Sequence, residues 1–157
     1  MFNPCIENCV DTTDEIKISA QYQPCGVYAA HDLGYKKPGD LMIFTSTDYF
    51  SNGRQVANTV TIFDAEYMEK FQLDLNDIEK MKEFSTYGLY RLAKHAKTVF
   101  NVLNADADSY IAGINKNEPV IIVEEILVEE GDKQLSYAKH QLLGSMYRFS
   151  MERKSHM

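Results

Sequence analysis

Leu41-Met-Ile-Phe-Thr-Ser-Thr-Asp-Tyr-Phe-Ser-Asn-Gly-Arg-Gln-Val-Ala-Asn-Thr-Val-Thr-Ile-Phe63 is the stretch that decides the fold. Leu41, Ile43, Thr45, Thr47 and Tyr49 fall on one face of an extended chain, and Met42, Phe44, Ser46 and Asp48 on the other. Asn52-Gly53 supplies the two positive-φ residues of a type I′ turn, so Gln55 to Phe63 returns antiparallel as the second arm of a hairpin. Just upstream, Val27-Tyr-Ala-Ala-His-Asp-Leu33 reads as a short helix with Gly34 as its C-cap, joined to the hairpin by the basic bridge Tyr35-Lys-Lys-Pro-Gly39. The same succession returns downstream: Asp106 to Gly113 as a helix, a bridge Ile114-Asn-Lys-Asn-Glu118, a run to Val128, the turn Glu130-Gly-Asp132 and a run to Leu142. Gly34 matches Gly113, Gly53 matches Asp132 and Val56 matches Leu135, all at an offset of 79 residues. Two copies of one helix-plus-hairpin unit imply a single domain built as a pseudo-repeat, with a ligand cleft expected between the copies.

The rest of the chain fills in around these units. Residues 1–14 show no period and read as an irregular lead-in. Glu15 to Tyr22 alternates as a strand that Pro24-Cys-Gly26 ends. Asp64 to Phe71 reads as a short helix with an aspartate cap, and Asn76 with Glu79 suggests a capping box for a second helix. Leu89, Leu92, Ala93 and Ala96 carry helical spacing through Tyr87–Ala96. Thr98 to Leu103 and Ser145 to Met151 complete the predicted strands. The expected fold is α+β, an antiparallel sheet of about six strands with four or five flanking helices.

Composition bounds the function. The 157 residues favour one domain, and 45% hydrophobic with 25% charged residues suit a packed core. A net charge of −7 without a basic cluster repels a phosphate backbone, so direct DNA or RNA binding by this chain is not expected. No apolar run is long enough for a membrane span and the N-terminus lacks a signal-peptide pattern, so the expectation is a soluble, cytoplasmic protein without membrane contact. Cys5, Cys9 and Cys25 are too few and too odd in number for a disulfide framework.

Catalytic signatures are missing from the sequence. Neither G-x-S-x-G nor a phosphate-cradling glycine loop occurs. Cys5-x3-Cys9 with Cys25 is a poor zinc pattern, and His31, His95, His140 and His156 have no metal-ligand spacing, so neither metal nor cofactor is expected. His31 and His95 fall in predicted helices as surface or cap residues. Glu124-Glu125 and Glu129-Glu130 read as acids that keep a strand soluble rather than as a catalytic pair.

Ala105-Asp-Ala-Asp-Ser-Tyr-Ile-Ala-Gly-Ile114, Pro119-Val-Ile-Ile-Val123, Leu135-Ser-Tyr137 and Tyr147-Arg-Phe149 together resemble a UTRA domain, the effector-binding half of HutC-type regulators in the GntR family. The first copy matches again at His31-Asp-Leu-Gly34 and Ser51-Asn-Gly53, and the resemblance spans Ile16 to Arg153. It implies a chorismate-lyase-like fold, a homodimer and a small-molecule pocket coupled to an N-terminal winged-helix domain through which DNA is bound. That DNA-binding domain is not in this chain. The division read here is a lead-in over 1–14, one UTRA-like domain over 15–153 and a tail over 154–157.

The departures from the family pattern matter most. Anion-binding members carry Arg-x-Arg where this chain has Thr47 and Tyr49. The family's hairpin glutamate falls at Ser136, and the arginine and aspartate of its closing motif fall at Leu143 and Ser145. A phosphate favours bidentate guanidinium in a dry cleft, which neutral hydroxyls do not replace. The resemblance therefore implies a neutral or weakly charged effector, bound by Thr47, Tyr49, Asn58, Ser136, Tyr137 and Tyr147, rather than a sugar phosphate. Arg54 and Arg91 are the remaining candidate anion contacts. Two alternatives stay open: a degenerate UTRA-like domain that only dimerises, and a chorismate-lyase-like enzyme, which would need cationic clamps that this chain lacks. The homodimer is expected to form along a sheet-edge strand from Ser145 to Met151, where Met146, Tyr147, Phe149 and Met151 are apolar.

Overall fold

The computed structural model describes residues 1–33, 37–105 and 109–155. Six strands form one antiparallel sheet: β1 (Glu15–Pro24), β2 (Leu41–Ser51), β3 (Arg54–Asp64), β4 (His95–Asn104), β5 (Pro119–Val128) and β6 (Gln134–Leu143). Their order across the sheet is β1-β2-β3-β6-β5-β4, so each half is a three-strand unit and the halves meet where β3 pairs with β6. The 79-residue offset holds at the turns and between β3 and β6, while the inward residues Ile121, Val123, Glu125 and Leu127 of β5 follow Ile43, Thr45, Thr47 and Tyr49 of β2 at 78. Asn52 and Gly53 take φ of 52° and 78°, and their counterparts Gly131 and Asp132 take 83° and 60°. Val60 lies directly opposite Lys139, its own counterpart, which puts the internal pseudo-dyad at the centre of the sheet.

The alternation read from the sequence sets the two faces. Ile43, Phe63 and Leu127 turn inward against α3 (Glu66–Lys70), α4 (Ile78–Glu83) and α5 (Leu89–Leu92), joining Tyr67, Met81, Phe84 and Leu89 in the main core. Full burial of each such side chain contributes about 1.5–3 kcal/mol. Toward the hairpin ends the same face is covered by α1 (Pro4–Glu7), where Cys5 packs with Tyr49, Val56, Val123, Leu142 and Tyr147. On the opposite, outer face, α2 (Val27–Leu33) packs Ala30 against Met42, and the connection after β4 packs Ala105 against Val120 and Ile122. Two cavities under these covers repeat the symmetry: about 240 Å³ beside Leu103, Asn104, Ala105, Val120, Ile122 and Gln141, and about 140 Å³ beside Pro24, Cys25, Gly26, Met42, Phe44 and Ile62.

Several sequence expectations are corrected. The lead-in is not wholly irregular, because Asn3 caps a helical turn with Pro4 in its first position and its Oδ1 accepts from the Cys5 amide at 2.9 Å. Asp77, not Asn76, caps α4 by accepting from the Lys80 amide, while the Asn76 amide donates to Asp74. The helix expected to reach Ala96 stops at Leu92, after a five-residue π turn over Phe84–Gly88. Ala93 is already extended, the Lys94 amide donates to the Val128 carbonyl, and His95 opens β4 rather than sitting in a helix. The helical spacing misled because Leu89 reaches the core from α5 and Ala96 reaches it from β4. Ser109 to Gly113 are not helical, with a turn at Ala112–Gly113; Gly34 and residues 106–108, on which other parts of the helix readings fall, lie outside the described residues.

Ser145 to Met151 do not form a strand. A 3₁₀ turn covers Gly144–Met146, and Tyr147 makes one isolated bridge to Cys9. Past Leu143 the ladders run out on both sides, since β5 begins at Pro119 and the β3 ladder ends at Ala57. Gly144 also lies so close to Pro119 that a Cβ there would meet its carbonyl oxygen at 2.8 Å. The free edges of the sheet are β1 and β4.

Candidate functional site

Strand register separates the expected site residues into two groups. Thr47, Thr59, His140 and Val123 lie opposite one another on β2, β3, β6 and β5, so they share the inner face. Tyr49 and Ser136 have the same parity, and Tyr147 packs with Tyr49 in the inner cluster. Asn58, next to Thr59, must face outward, where it lies opposite Asp48 and Gln141; Tyr137 is outward too. The six residues therefore do not line one cleft. Thr47, Tyr49 and Tyr147 are brought together, with Ser136 two rows of the sheet beyond, opposite Phe63 and Leu127.

The outward pair has structural partners. Asn58 donates through Nδ2 to Asp48 at 2.8 Å and to Ser46 at 3.1 Å, and Tyr137 donates its hydroxyl to Glu124 at 3.0 Å. Gln55 and Gln141 on the same face hold the segment after β4 through the backbone of Tyr110 and Ala112. Arg54 and Arg91, considered as anion contacts, are each beside a carboxylate, Glu118 at 3.5 Å and Glu83 respectively.

The inner face carries a buried polar row that runs from the N-terminal turn to α5. Asn3 Nδ2 donates to the Tyr49 hydroxyl at 3.0 Å and to the Thr86 carbonyl at 3.1 Å. Cys5 Sγ lies 3.2 Å from Thr59 Oγ1 and 3.5 Å from His140 Nδ1, and Thr59 Oγ1 is 2.7 Å from the same ring nitrogen. His140 Nε2 donates to Glu125 Oε1 at 2.7 Å, and the Tyr90 hydroxyl donates to that oxygen as well. The Tyr147 hydroxyl closes the other end by donating to the Cys5 carbonyl at 2.8 Å. His140 and Cys5 are wholly inaccessible to solvent, and Glu125 is 6% exposed.

Electrostatics favour a charged pair here. Burial pushes the His140 imidazole toward neutrality, but the Cys5 sulfur and the Glu125 carboxylate outweigh it and raise the ring to about 10. Protonated at neutral pH, the ring donates from both nitrogens, to Thr59 and to Glu125. Burial, reinforced by Glu125, raises the Tyr90 hydroxyl, and burial with Cys5 beside it raises Tyr49 and Tyr147, so all three phenols remain neutral, Tyr90 and Tyr147 donating and Tyr49 accepting from Asn3. Such a pair is tolerated in a core only when its remaining hydrogen-bond capacity is met, which Tyr90 and Thr59 accomplish.

The sequence reading did not place Glu125, His140, Thr59, Asn3 and Cys5 in the site, and Glu125 was read as a solubilising acid. The parity of β5 held the signal: Ile121, Val123, Glu125 and Leu127 form an otherwise apolar inward series, and His140 interrupts the inward series of β6 in the same way. Residues on α1 and α5 could reach that row only through the tertiary fold. Among the described residues no group of three or more metal-ligating side chains is placed to hold an ion, and no helix is long and apolar enough to cross a membrane.

Comparisons with known proteins bear on the fold. No family model matches the sequence, and no curated protein matches it either. Solved structures do. A GntR-family transcriptional regulator from Enterococcus faecalis superposes with a TM-score of 0.74 at 14% identity, over 88% of this chain and 100% of that one. The ligand-binding domain of a GntR-family regulator from Bordetella bronchiseptica gives 0.72 at 16% identity, over 88% and 92%. The C-terminal domain of the histidine utilization repressor from Pseudomonas syringae gives 0.71 at 16% identity, over 90% and 100%. At these identities what is shared is architecture, and this chain has the fold of the ligand-binding domains of GntR-family regulators, as the UTRA resemblance implies.

Proposed function

We propose that the chain is the small-molecule effector-binding and dimerisation domain of a bacterial transcriptional regulator, acting in the cytoplasm and reaching DNA only through a separate winged-helix domain. The functional unit is residues 15–153, with the 1–14 lead-in docked on its inner face. The observation that carries this reading is the neutral inner cleft. Thr47 and Tyr49 occupy the positions matched to the family's anion clamp, yet they are 2% and 1% exposed and face a row whose one cation, His140, is already paired with Glu125. Among the described residues a phosphate entering there would meet only cations that already have a carboxylate, His140 with Glu125 and, at the cavity beside the N-terminal turn, Arg91 with Glu83, so the effector is a neutral or weakly charged molecule. Catalysis is disfavoured because the titratable row is sealed from solvent and its carboxylate is committed to two donors.

The dimer surface is the β4 edge rather than the C-terminal segment. Val99, Phe100, Val102 and Leu103 are 63%, 54%, 63% and 51% exposed along a free ten-residue edge. An apolar edge of that length pairs readily with a copy of itself, and a two-fold contact is self-complementary. Phe149 stacks edge-on against Phe100 at 5.1 Å and extends the patch.

Thermal shift tests the reading. A ligand at 100 times its dissociation constant adds about 2.7 kcal/mol. Neutral amides or aromatic metabolites are expected to raise the melting temperature while sugar phosphates at millimolar concentration leave it unchanged; strong stabilisation by a sugar phosphate sinks the proposal. The second reading, a domain that only dimerises, is favoured by Asn3 and Cys5 filling the inner cleft, and no response to any ligand class would support it.

A further inference from the structure

One turn of the N-terminal segment enters the inner face between exposed flanks. Met1 and Phe2 are 49% and 74% exposed and Val10 is 54% exposed, but Asn3 is 5% and Cys5 0% exposed. A four-residue helix has no stability of its own, so the turn stays in place only through what it touches. Beside the apolar packing of Cys5 against Val56, Val123 and Leu142, those contacts are hydrogen bonds. The Asn3 carboxamide donates to Thr86 and Tyr49, the Cys5 carbonyl accepts from Tyr147, and the Cys5 sulfur rests on Thr59 and His140. Beside the turn lies a cavity of about 250 Å³ lined by Asn3, Ile6, Thr86, Tyr87, Tyr90 and Arg91, so the cleft is larger than its occupant.

We propose that the inner cleft is a ligand site whose resident occupant is the chain's own Asn3–Cys5 turn, displaced when a neutral amide-bearing small molecule binds. The proposal rests on the effector reading and assigns its ligand class and its gate. The class follows from the groups left behind when the turn leaves. The Thr86 carbonyl can only accept, so the ligand must bring an N–H to it; the Tyr147 hydroxyl donates, so the ligand must bring a carbonyl. A primary amide, a lactam or a short peptide offers both groups. A carboxylate or phosphate would set an acceptor against the Thr86 carbonyl, which disfavours it.

Opening is measurable on the full chain. In unsubstituted protein, the amides of Ile6 and Glu7, which donate to the Asn3 carbonyl, are expected to exchange with deuterium at least about 100-fold faster than those of β3 and β6. In a chain carrying Cys9→Ser and Cys25→Ser, iodoacetamide should alkylate Cys5 at a rate insensitive to low urea, since little surface is exposed by the opening. Asn3→Ala should speed that alkylation about tenfold while leaving strand exchange unchanged. The alkylated chain, unable to reseat its turn, should bind a synthetic peptide of residues 1–10 and should not bind the same peptide with Asn3→Ala. Exchange and alkylation that follow global unfolding overturn the proposal, as does an alkylated chain that ignores the peptide. Rapid opening and peptide binding with no response to any metabolite would keep the turn as occupant and remove the effector reading instead.

Discussion

The two halves of the sheet share a backbone and differ in what they bury. In the first half the inner face carries Thr45, Thr47, Thr59 and Thr61, all neutral hydroxyls. In the second it carries Glu125 and His140, a charged pair that must be satisfied from outside its own half, by Thr59, Tyr90 and Cys5. The edges differ in the opposite sense. Edge strand β1 presents Lys17, Ser19, Gln21 and Gln23 on its outer face, while β4 presents Val99 and Leu103 there and Phe100 and Val102 on the other. Turn chemistry and alternation are enough to repeat a fold, and the side chains are then free to specialise: one half cradles and the other pairs.

The strongest way to break this contrast is to remove one member of the charged pair. His140→Ala strands Glu125 without its cation and should cost about 3–5 kcal/mol in urea unfolding; the isosteric Thr47→Val in the other half should cost no more than about 1 kcal/mol. Equal losses would erase the distinction between the halves. Tyr49→Ala, attractive from the sequence as a probe of ligand binding, is unsuitable because Tyr49 is a fully buried core residue and its truncation should cost about 3–5 kcal/mol.

Next in size is association. Val99→Lys with Val102→Glu on β4 should turn a dimer into a monomer in multi-angle light scattering, whereas Ser19→Lys with Gln21→Glu on β1 should leave the mass unchanged. A wild-type chain that is monomeric at micromolar concentration would end the argument from edges.

The pH dependence of stability separates the halves a third time. A histidine raised from 6.5 to about 10 on folding contributes stability fully present below pH 6.5 and lost as the pH rises through about 10. Wild-type protein should therefore lose stability across that window, and the slope should flatten in His140→Gln. A variant that retains the wild-type slope would mean that other groups carry it.

Smallest is the loss of a single hydroxyl. Tyr49→Phe leaves Asn3 Nδ2 with only the Thr86 carbonyl and should cost about 1–3 kcal/mol, with faster exchange confined to residues 3–8. Exchange that rises in the strands as well would show that the first half is not as locally organised as its neutral face implies.

Legibility in the sequence followed the range of the interaction. Asn52-Gly53 and the alternation around it are local, and the hairpin stands as read; the 79-residue offset was equally visible because it needs only order along the chain. Ser145 to Met151 failed because alternation says nothing about whether a neighbouring strand is there to pair with. The site was half legible. Thr47, Tyr49 and Tyr147 meet, but Asn58 was grouped with them although the same alternation turns it away. The His140–Glu125 pair lies between two strands fifteen residues apart in sequence, where spacing carries no metal or catalytic signature, and Cys5 reaches it from the far end of the chain.

The π turn at Phe84–Gly88 has a geometric effect beyond local shape. A helix advances about 100° per residue, so one extra residue in a turn rotates everything after it by that amount while the rise along the axis hardly changes. Here it resets the phase between Phe84, which packs into the aromatic core beside Phe63, and Tyr90, whose hydroxyl must reach Glu125. Gly88 is where the widened turn closes, with the Phe84 ring 2.9 Å from the position a Cβ would take. Deleting that one residue would restore a regular helix and swing Tyr90 off its carboxylate, so the buried charge of the second half depends on a vernier cut into the helix whose Tyr90 hydroxyl reaches both Glu125 and His140.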